Sequence, residues 1–291
     1  MKIIGHLAGG LGNQLFQYAM GRRINIDNSE SSYSLNFEDH YKFAKRNYSL
    51  DNFRIKASKA SKKDIALIGP ERRLKRKLKH FLKLPIEKNV VREKKQFEFD
   101  PSIINVKTDC YFIGFWQSYK YFENIRQDLL NEFWPLMLRD AFSTLCNEIQ
   151  GDLRSLGIHI RRSDYLNKAQ FFTPLGFSYY RRAIDSIDRE FGPSNIYIFT
   201  DDPIWAKSIF VRDLNYSNKI RIISDSELFD YEELCLMSLC RNSIIANSSF
   251  SWWAAWLNQS PNKRIVAPRQ WNGRDEEIKL CDLIPSEWVL I

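Results

Sequence analysis

The stretch GIHIRRSD, residues 157–164, is an apolar run that ends in four charged or polar residues. The stretch NIYIFTDD, residues 195–202, repeats this pattern. Short apolar runs that end in polar turns are typical of buried strands. Residues 177–191 lie between them and have apolar side chains at helical spacing, at Tyr180, Ala183, Ile184 and Ile187. A strand, a helix and a second strand in this order predict a βαβ unit and therefore a parallel sheet.

The same alternation extends over the second half of the chain and also opens the first half. The other predicted strands are KIIGHL (2–7), YFIGF (111–115), KIRII (219–223), SIIA (243–246) and KRIVA (263–267). The other predicted helices include 15–26, 203–210, 231–240 and 249–257. Strands that alternate with helices predict an α/β fold with parallel sheets and helices on both faces.

We predict a domain boundary near residue 150. Residues 127–150 are helical in period, with Pro135 as a break, and a strand follows at 157. The chain is therefore divided into an N-terminal domain, 1–150, and a C-terminal domain, 151–291. Packing of the C-terminal tail against the first domain is compatible with this division.

Most of the positive charge lies in one segment. The net charge of the chain is +8, whereas residues 56–95 alone have 15 Lys and Arg and 4 Asp and Glu, a net charge of +11. The rest of the chain is therefore slightly acidic, which argues against a protein that binds nucleic acid over its whole surface. Leu74, Leu78, Phe81 and Leu82 form an apolar face among lysines and arginines, which suits either an anionic membrane surface or a solvated surface helix.

The cysteines and the N-terminus indicate a cytoplasmic protein. Five cysteines, with no Cys-x-x-Cys pair, and four histidines make a Cys/His zinc site improbable and favour a reduced compartment. The opening MKIIGHLAGGLGNQ has no long apolar core or cleavage site, so we expect no secretory signal. No run of 18 apolar residues occurs, so we expect no membrane span.

Polar clusters follow four of the predicted strands. They are Gly9–Gln14, Arg161–Asp164, Asp201–Asp202 and Asn247–Ser249. Ligands of parallel α/β sheets bind beyond the carboxyl ends of the strands, so these clusters are the candidate site. Adjacent arginines suit a diphosphate, and a helix that begins with serines offers its N–H groups to an anion. The carboxylates of Asp201 and Asp202 suit the N–H groups of a base or ribose hydroxyls.

Each cluster also has a purely structural interpretation. The glycine-rich turn is compatible with an ordinary turn, and Ser248–Ser249 with a helix cap. His159 lies within a strand and is compatible with a buried, hydrogen-bonded core residue. Arg161 and Asp164 are compatible with a structural ion pair. Three tryptophans at helical spacing favour a core over stacking platforms, namely Trp252, Trp253 and Trp256.

Several segments resemble the bacterial α-1,2-fucosyltransferases of glycosyltransferase family 11. They are GGLGNQLFQYA (9–19), GFWQSYKYF (114–122), HIRRSDY (159–165), FTDDPIWAK (199–207) and IIANSSFSWWAAWLN (244–258). Their order and spacing match the family over nearly the whole chain. The departures from the family pattern are mild, because Ser163, Thr200 and Ala254 are all small replacements of small residues.

The resemblance implies a GT-B fold, in which two Rossmann-like domains face each other across a cleft. It also implies GDP-β-L-fucose as the donor, with inversion to an α-linked fucoside. The C-terminal domain would bind the donor, and the N-terminal domain, with its variable basic segment 56–95, would be the acceptor side.

The resemblance assigns roles to individual residues. Arg161 and Arg162 would hold the diphosphate, and together with Asp164 they are the predicted catalytic residues. His159 and Asp164 would shape the loop and contact the donor. The third donor-binding motif would comprise Asn247, Ser248, Ser249, Phe250 and Ser251. Asp201 and Asp202 are further donor-binding candidates, and Asn13 and Gln14 would meet the fucose or the acceptor.

The predicted reaction is inverting transfer of L-fucose to an acceptor glycan, most simply O-2 of a β-galactoside, in surface polysaccharide synthesis. The acceptor is an oligosaccharide or a lipid-linked glycan. No Asp-x-Asp motif occurs, so we expect no divalent metal and no other cofactor. No residue identifies itself as a general base. The alternatives are a fucosyltransferase that forms another linkage and a transferase that uses another GDP-sugar. An alternative from a different class is a basic protein that binds nucleic acid or anionic membranes. If the protein binds peripherally to the inner face of the membrane, we expect residues 72–83 to make the contact.

Overall fold

The computed structural model describes residues 1–37, 47–71, 89–166, 174–211, 220–224, 227–271 and 280–291. The chain divides into two compact units, Met1–Phe133 and Trp134–Ile291. Each unit is built around one parallel sheet.

The first unit contains a parallel sheet in the order β3-β2-β1-β5-β4. Its strands are β1 (Lys2–His6), β2 (Ser32–Asn36), β3 (Ser58–Lys59), β4 (Val90–Arg92) and β5 (Cys110–Ile113). Central strand β1 is apolar at Ile3 and Ile4, which are at most 1% exposed. A strand that is covered on both faces needs such a continuous apolar run.

The helices of the first unit lie between its strands and, after β5, at its C-terminal end. They are α1 (Leu11–Asp27), α2 (Lys62–Ile68), α3 (Pro101–Ile104) and α4 (Arg126–Glu132), with 3₁₀ turns at Leu50–Asn52, Tyr119–Tyr121 and Glu123–Ile125. Buried Glu132 ties α4 to α1, because its carboxylate accepts hydrogen bonds from the Tyr18 hydroxyl (2.5 Å) and from Arg22 Nε (2.9 Å). The ring of Tyr18 in turn packs on Phe133, with ring centroids 5.5 Å apart.

The second unit contains a parallel sheet in the order β11-β10-β9-β6-β7-β8. Its strands are β6 (Ser155–Ile160), β7 (Asn195–Thr200), β8 (Ile220–Ile222), β9 (Asn242–Ile244), β10 (Ile265–Ala267) and β11 (Val289–Leu290). Strands β6 and β7 are neighbours, and Ile160 pairs with Thr200 at their carboxyl ends. The prediction of parallel sheets is confirmed in both units.

The helices of the second unit pack on its sheet. They are α5 (Asp140–Gly151), α6 (Ser163–Leu166), α7 (Phe177–Phe191), α8 (Pro203–Ala206), α9 (Asp230–Leu239), α10 (Ser249–Leu257) and α11 (Leu280–Leu283), with a π turn at Lys207–Val211. Helix α7 buries its predicted apolar stripe against β6, β7 and β9. Trp252, Trp253 and Trp256 are at most 6% exposed, which confirms that they belong to the core.

The boundary predicted near residue 150 falls instead between Phe133 and Trp134. Helix α5 belongs to the second unit because it packs against α9. At its N-terminal end, Arg139 donates hydrogen bonds to the carboxylate of Glu232, which is fully buried. Pro135 lies between α4 and α5, as expected for a helix break. The C-terminal tail contributes β11, which pairs with β10 in the second sheet.

No helix within the described ranges is long and apolar enough to cross a membrane. The predicted interfacial helix, residues 72–83, lies outside the residues that the structure describes.

Candidate active site

The carboxyl edge of the second sheet brings three of the predicted clusters together. Arg161 and Arg162 follow β6, Asp201 and Asp202 follow β7, and Asn247–Ser251 follow β9. Because β9, β6 and β7 are adjacent in the sheet, the three loops emerge side by side.

The carboxylate of Asp201 connects the loop after β7 to the loop after β6. Its Oδ1 accepts the backbone N–H of Arg162 (2.8 Å), and its Oδ2 accepts the Ser163 hydroxyl (2.6 Å). Arg161 Nη1 lies 3.3 Å from Oδ2. Burial alone would raise the pKa of Asp201, but the Ser163 hydrogen bond, the charge of Arg161 and the Arg162 N–H together lower it below the ordinary value. Asp201 is therefore an ionised group that fixes the loop.

The guanidinium group of Arg162 is oriented by Asp202 and Trp205. Its Nε lies 3.5 Å from Asp202 Oδ2, and its Cζ lies over the Trp205 ring, 4.3 Å from the ring centroid. Asp202 also caps helix α8 by accepting the Trp205 N–H at 3.0 Å. Both arginines thus form ion pairs, and their partners are Asp201 and Asp202. The side chain of Asp164 is not among those that the structure describes.

His159 is a neutral residue beneath the site. It is 4% exposed, and its ring centroid lies 5.1 Å from that of Phe250. Its Nδ1 has no hydrogen-bond partner in the described part of the chain. Burial, and then the charge of Arg161, lower the pKa of His159 to about 3. The ring is therefore uncharged at neutral pH.

Helix α10 presents its N-terminal end at this edge. Ser248 is its N-cap, and its hydroxyl accepts the Phe250 N–H at 3.4 Å, so the capping interpretation is correct. Asn247 and Ser251 are buried and bond to the backbone of Trp271 and Ala246. Ser249 and Phe250 are partly exposed, and they are the side chains of this motif that a ligand reaches most directly.

Ser224 and Glu233 belong to this edge but were not predicted. The Ser224 hydroxyl accepts the N–H of Thr200 (2.9 Å) and donates to the carboxylate of Glu233 (2.7 Å). Burial raises the pKa of Glu233 to about 7. The available signal was an acidic pair, Glu232 and Glu233, in the first turn of a helix whose later residues are mostly apolar.

The carboxyl edge of the first sheet presents Asn13, whereas Gln14 faces the interior. Gly9 has a φ of 84°, a left-handed conformation that favours glycine, and a Cβ there would lie 2.5 Å from Asn13 Nδ2. Asn13 Oδ1 accepts the Gln117 amide at 2.7 Å. Gln14 is fully buried, and it bonds to Asn47 O and Ser49 N. Of the two predicted sugar-contacting residues, only Asn13 has a partly exposed side chain.

Solved structures share this architecture. A structure titled NodZ alpha-1,6-fucosyltransferase co-crystallized with GDP matches 91% of this chain and 93% of its own, with a TM-score of 0.51 and 12% identity. A point mutant of Arabidopsis thaliana FUT1 in complex with GDP matches 91% of this chain and 69% of its own, with a TM-score of 0.52 and 13% identity. The fold is therefore of the GT-B type, as predicted.

A family model described as Glycosyl transferase family 11 matches residues 3–291. The chain belongs to this family, and it is a glycosyltransferase.

Curated relatives agree with this assignment. The O-antigen biosynthesis glycosyltransferase WbnK of Escherichia coli is 30% identical, over 94% of this chain and 96% of its own. An alpha-1,2-colitosyltransferase of Escherichia coli is 31% identical, over 99% of this chain and 98% of its own. A galactoside 2-alpha-L-fucosyltransferase of Caenorhabditis elegans is 26% identical, over 65% of this chain and 55% of its own.

The neutral state of His159 predicts a specific dependence of stability on pH. The folded-state pKa of about 3 is below the ordinary value of 6.5, so in acid the unfolded chain binds a proton that the folded chain does not. The stability that His159 contributes is therefore complete above pH 6.5 and is lost as the pH falls towards 3. Between pH 6.5 and 5, we expect the wild type to lose about 2 kcal/mol more than His159→Gln in urea unfolding.

A second measurement checks the same prediction in the native state. The NMR signal of His159, assigned by its absence from the spectrum of His159→Gln, should keep its chemical shift between pH 8 and pH 5. A titration of that signal near pH 6.5 would contradict a buried neutral ring, as would equal pH dependence of the two proteins.

Proposed function

We propose that this glycosyltransferase moves L-fucose from GDP-β-L-fucose to a hydroxyl of an acceptor glycan, with inversion. The favoured acceptor is O-2 of a β-galactoside, and the favoured setting is the synthesis of a surface polysaccharide. The observation that carries the proposal is the edge of the second sheet, where Arg161, Arg162 and the N-terminus of α10 lie side by side. Two guanidinium groups beside a helix N-terminus suit the diphosphate of a sugar nucleotide.

The ion pairs prepare the arginines for this role. Asp201 holds Arg161 at 3.3 Å, and Asp202 holds Arg162 at 3.5 Å. Negative charge grows on the diphosphate as it departs, and donors that are already in place stabilise that charge without reorganisation. The resemblance to other family members supports Arg161 as the partner of the β-phosphate.

We assign no general base. Burial and the charge of Arg161 hold the pKa of His159 at about 3, so its ring is a weak base. Asp201 is also a weak base, because the Ser163 hydrogen bond, Arg161 and the Arg162 N–H outweigh its burial and lower its pKa. We therefore propose that departure of the diphosphate leads the reaction and that deprotonation of the acceptor follows late.

The first unit is proposed as the acceptor side. Its carboxyl edge presents the amide of Asn13 beside the left-handed turn at Gly9. Amide groups suit the hydroxyls of a neutral sugar, because they donate and accept hydrogen bonds without charge. Gln14 has no part in this contact, since its side-chain amide is hydrogen-bonded to the backbone of Asn47 and Ser49.

GDP-colitose is the second candidate donor. The relative that is 31% identical over 99% of this chain is an alpha-1,2-colitosyltransferase. Colitose is fucose without its 3-hydroxyl group, so the two donors share the nucleotide and the diphosphate. A site that hydrogen-bonds the 3-hydroxyl would select fucose strongly, because rejection of an analogue that lacks a bonded hydroxyl reaches about 10⁴-fold.

An activity screen tests the proposed function. We expect the protein to transfer fucose from GDP-fucose to a β-galactoside and to form an α-1,2 linkage, as assigned by NMR of the product. GDP-colitose and GDP-mannose are the comparison donors. Preference for GDP-colitose would replace the donor assignment, and the absence of transfer from every GDP-sugar would overturn the proposed function.

Arg161→Ala and Arg162→Ala should each lose most activity while the fold remains intact. Loss of a donor from a preorganised site raises the barrier by about 2.7–4 kcal/mol, or about 100- to 1,000-fold in rate. Arg161→Lys should also be poor, because an ammonium group cannot replace the planar fork. Arg181→Ala is the matched control, since Arg181 forms an exposed pair with Asp185 on α7. Near-normal turnover of both alanine variants would disprove the diphosphate assignment.

We also propose that transfer needs no divalent metal. The acidic pair Asp201–Asp202 is the natural metal ligand at this edge, but each carboxylate already lies within 3.5 Å of an arginine. A divalent cation there would meet two guanidinium groups of like charge. Initial rates in excess EDTA should equal those with added magnesium or manganese. A loss of activity in EDTA that either cation restores would contradict the proposal.

Location and membrane contact remain predictions from the sequence. The basic residues 72–83, on which contact with an anionic membrane would rest, lie outside the described ranges. Since the chain belongs to family 11, we favour glycosyl transfer over nucleic-acid binding as its primary activity.

A further inference from the structure

The loop after β5 has an unfavourable backbone conformation at Trp116. This residue has a φ of 55°, in the left-handed region that bulky side chains rarely adopt. Its ring is 1% exposed, and it packs edge-on against Phe112 and Tyr121 at centroid distances of 5.9 Å. A conformation of this kind persists only where the surrounding structure imposes it, and such positions cluster at functional sites.

The carboxylate of Glu93 holds the backbone of Trp116 in this conformation. Glu93 follows β4, the strand next to β5, and its two oxygens accept the N–H groups of Phe115 (2.7 Å) and Trp116 (3.0 Å). Gly114 permits this approach, because a Cβ at that position would lie 2.4 Å from Glu93 Cβ. Burial raises the pKa of Glu93, although the two N–H groups favour its ionised form.

The fixed loop is joined to the glycine-rich loop after β1. Gln117 is 7% exposed, and its Nε2 donates to Asn13 Oδ1 at 2.7 Å. Gln17 bridges the same two loops, since its amide donates to Gly114 O (3.0 Å) and accepts the N–H of Ala8 (2.9 Å). The backbone at 114–117 therefore determines where Gln117 lies and how the Asn13 amide is turned.

We propose that Glu93 is a positioning residue for the acceptor sugar. It fixes the turn at Trp116, and the turn holds Gln117 on Asn13 Oδ1, so that the NH₂ end of Asn13 is the end that donates to a sugar hydroxyl. Glu93 itself does not touch the substrate. This inference rests on the proposed function, in which Asn13 lies on the acceptor side.

Glu93→Gln tests the inference. A glutamine retains one carbonyl oxygen for one N–H group and places its NH₂ against the other, so the turn loses one charge-assisted hydrogen bond. We expect kcat/KM for the acceptor to fall about 10- to 100-fold, mainly through KM. KM for GDP-fucose and the slow hydrolysis of GDP-fucose by water should stay within about twofold of wild type, because the diphosphate residues belong to the second unit.

Asp100→Asn is the matched control. It makes the same carboxylate-to-amide change, but Asp100 accepts hydrogen bonds from Ser102, at the start of α3, and from Lys94, and within the described residues it accepts none from the turn. Asp100→Asn should retain the acceptor KM of the wild type. An equal acceptor defect in both variants would show that the change acts through general destabilisation, and it would overturn the inference.

A double-mutant cycle separates positioning from a merely structural role. If Glu93 acts through Asn13, then Glu93→Gln should change the acceptor kcat/KM little further in an Asn13→Ala background. Fully additive losses would overturn the inference. If Glu93→Gln fails to fold, Gln117→Ala tests the same connection, since it leaves the carboxylate and the turn in place; it should show the same acceptor-specific defect.

The outcomes distinguish the two proposals. A wild-type protein that transfers no sugar from any GDP-sugar overturns the proposed function, and the inference with it. A wild-type protein that transfers fucose, together with a Glu93→Gln variant whose acceptor KM is unchanged, overturns the inference alone.

Discussion

The parallel pairing of β6 and β7 is the constraint on which the candidate site depends. Ile160 and Thr200 are paired at the last position of each strand, so the residues that follow emerge at the same level. Arg161 therefore meets Asp201, although the two are far apart in the chain. On the other side of β6, β9 brings the N-terminus of α10 to the same edge. One register thus collects the guanidinium groups, the carboxylates and the helix N–H groups.

Asp201, His159 and the two arginines have fixed charges at neutral pH. Asp201 stays ionised because its hydrogen bonds and Arg161 outweigh its burial, and His159 stays neutral because it is buried beside a cation. The arginines are ionised throughout. These four side chains are suited to holding a strong anion in one orientation and less suited to carrying protons. This is the electrostatic reason why the structure favours diphosphate binding over acid–base chemistry by these residues.

The sequence predicted the features that depend on local pattern. Strand alternation, the polar strand ends and the tryptophan core follow from periodicity and strand order. Gln14 was predicted to face the ligand together with Asn13, but consecutive side chains of a helix point in different directions. The packing of α1 shows that the Gln14 side chain points into the interior. The boundary was misplaced because the apolar stripe of α5 does not specify which sheet it covers. Glu93 and Glu233 accept hydrogen bonds from partners in other loops, 22 and 9 residues away, and no spacing rule connects either carboxylate to its partner.

The two units share one type of loop contact, but its electrostatics differ between them. In each, a carboxylate after one strand accepts backbone N–H groups from the loop after the neighbouring strand: Asp201 binds Arg162, and Glu93 binds Phe115 and Trp116. Asp201 is accompanied by a guanidinium, and its pKa is lowered. Among the residues that the structure describes, Glu93 has N–H groups as its partners and no cation, and its burial raises its pKa. The edge of the second sheet is therefore ionic, whereas that of the first presents amides. An ionic edge suits a charged sugar nucleotide, and an amide edge suits a neutral glycan, which is consistent with the donor side and the acceptor side proposed above.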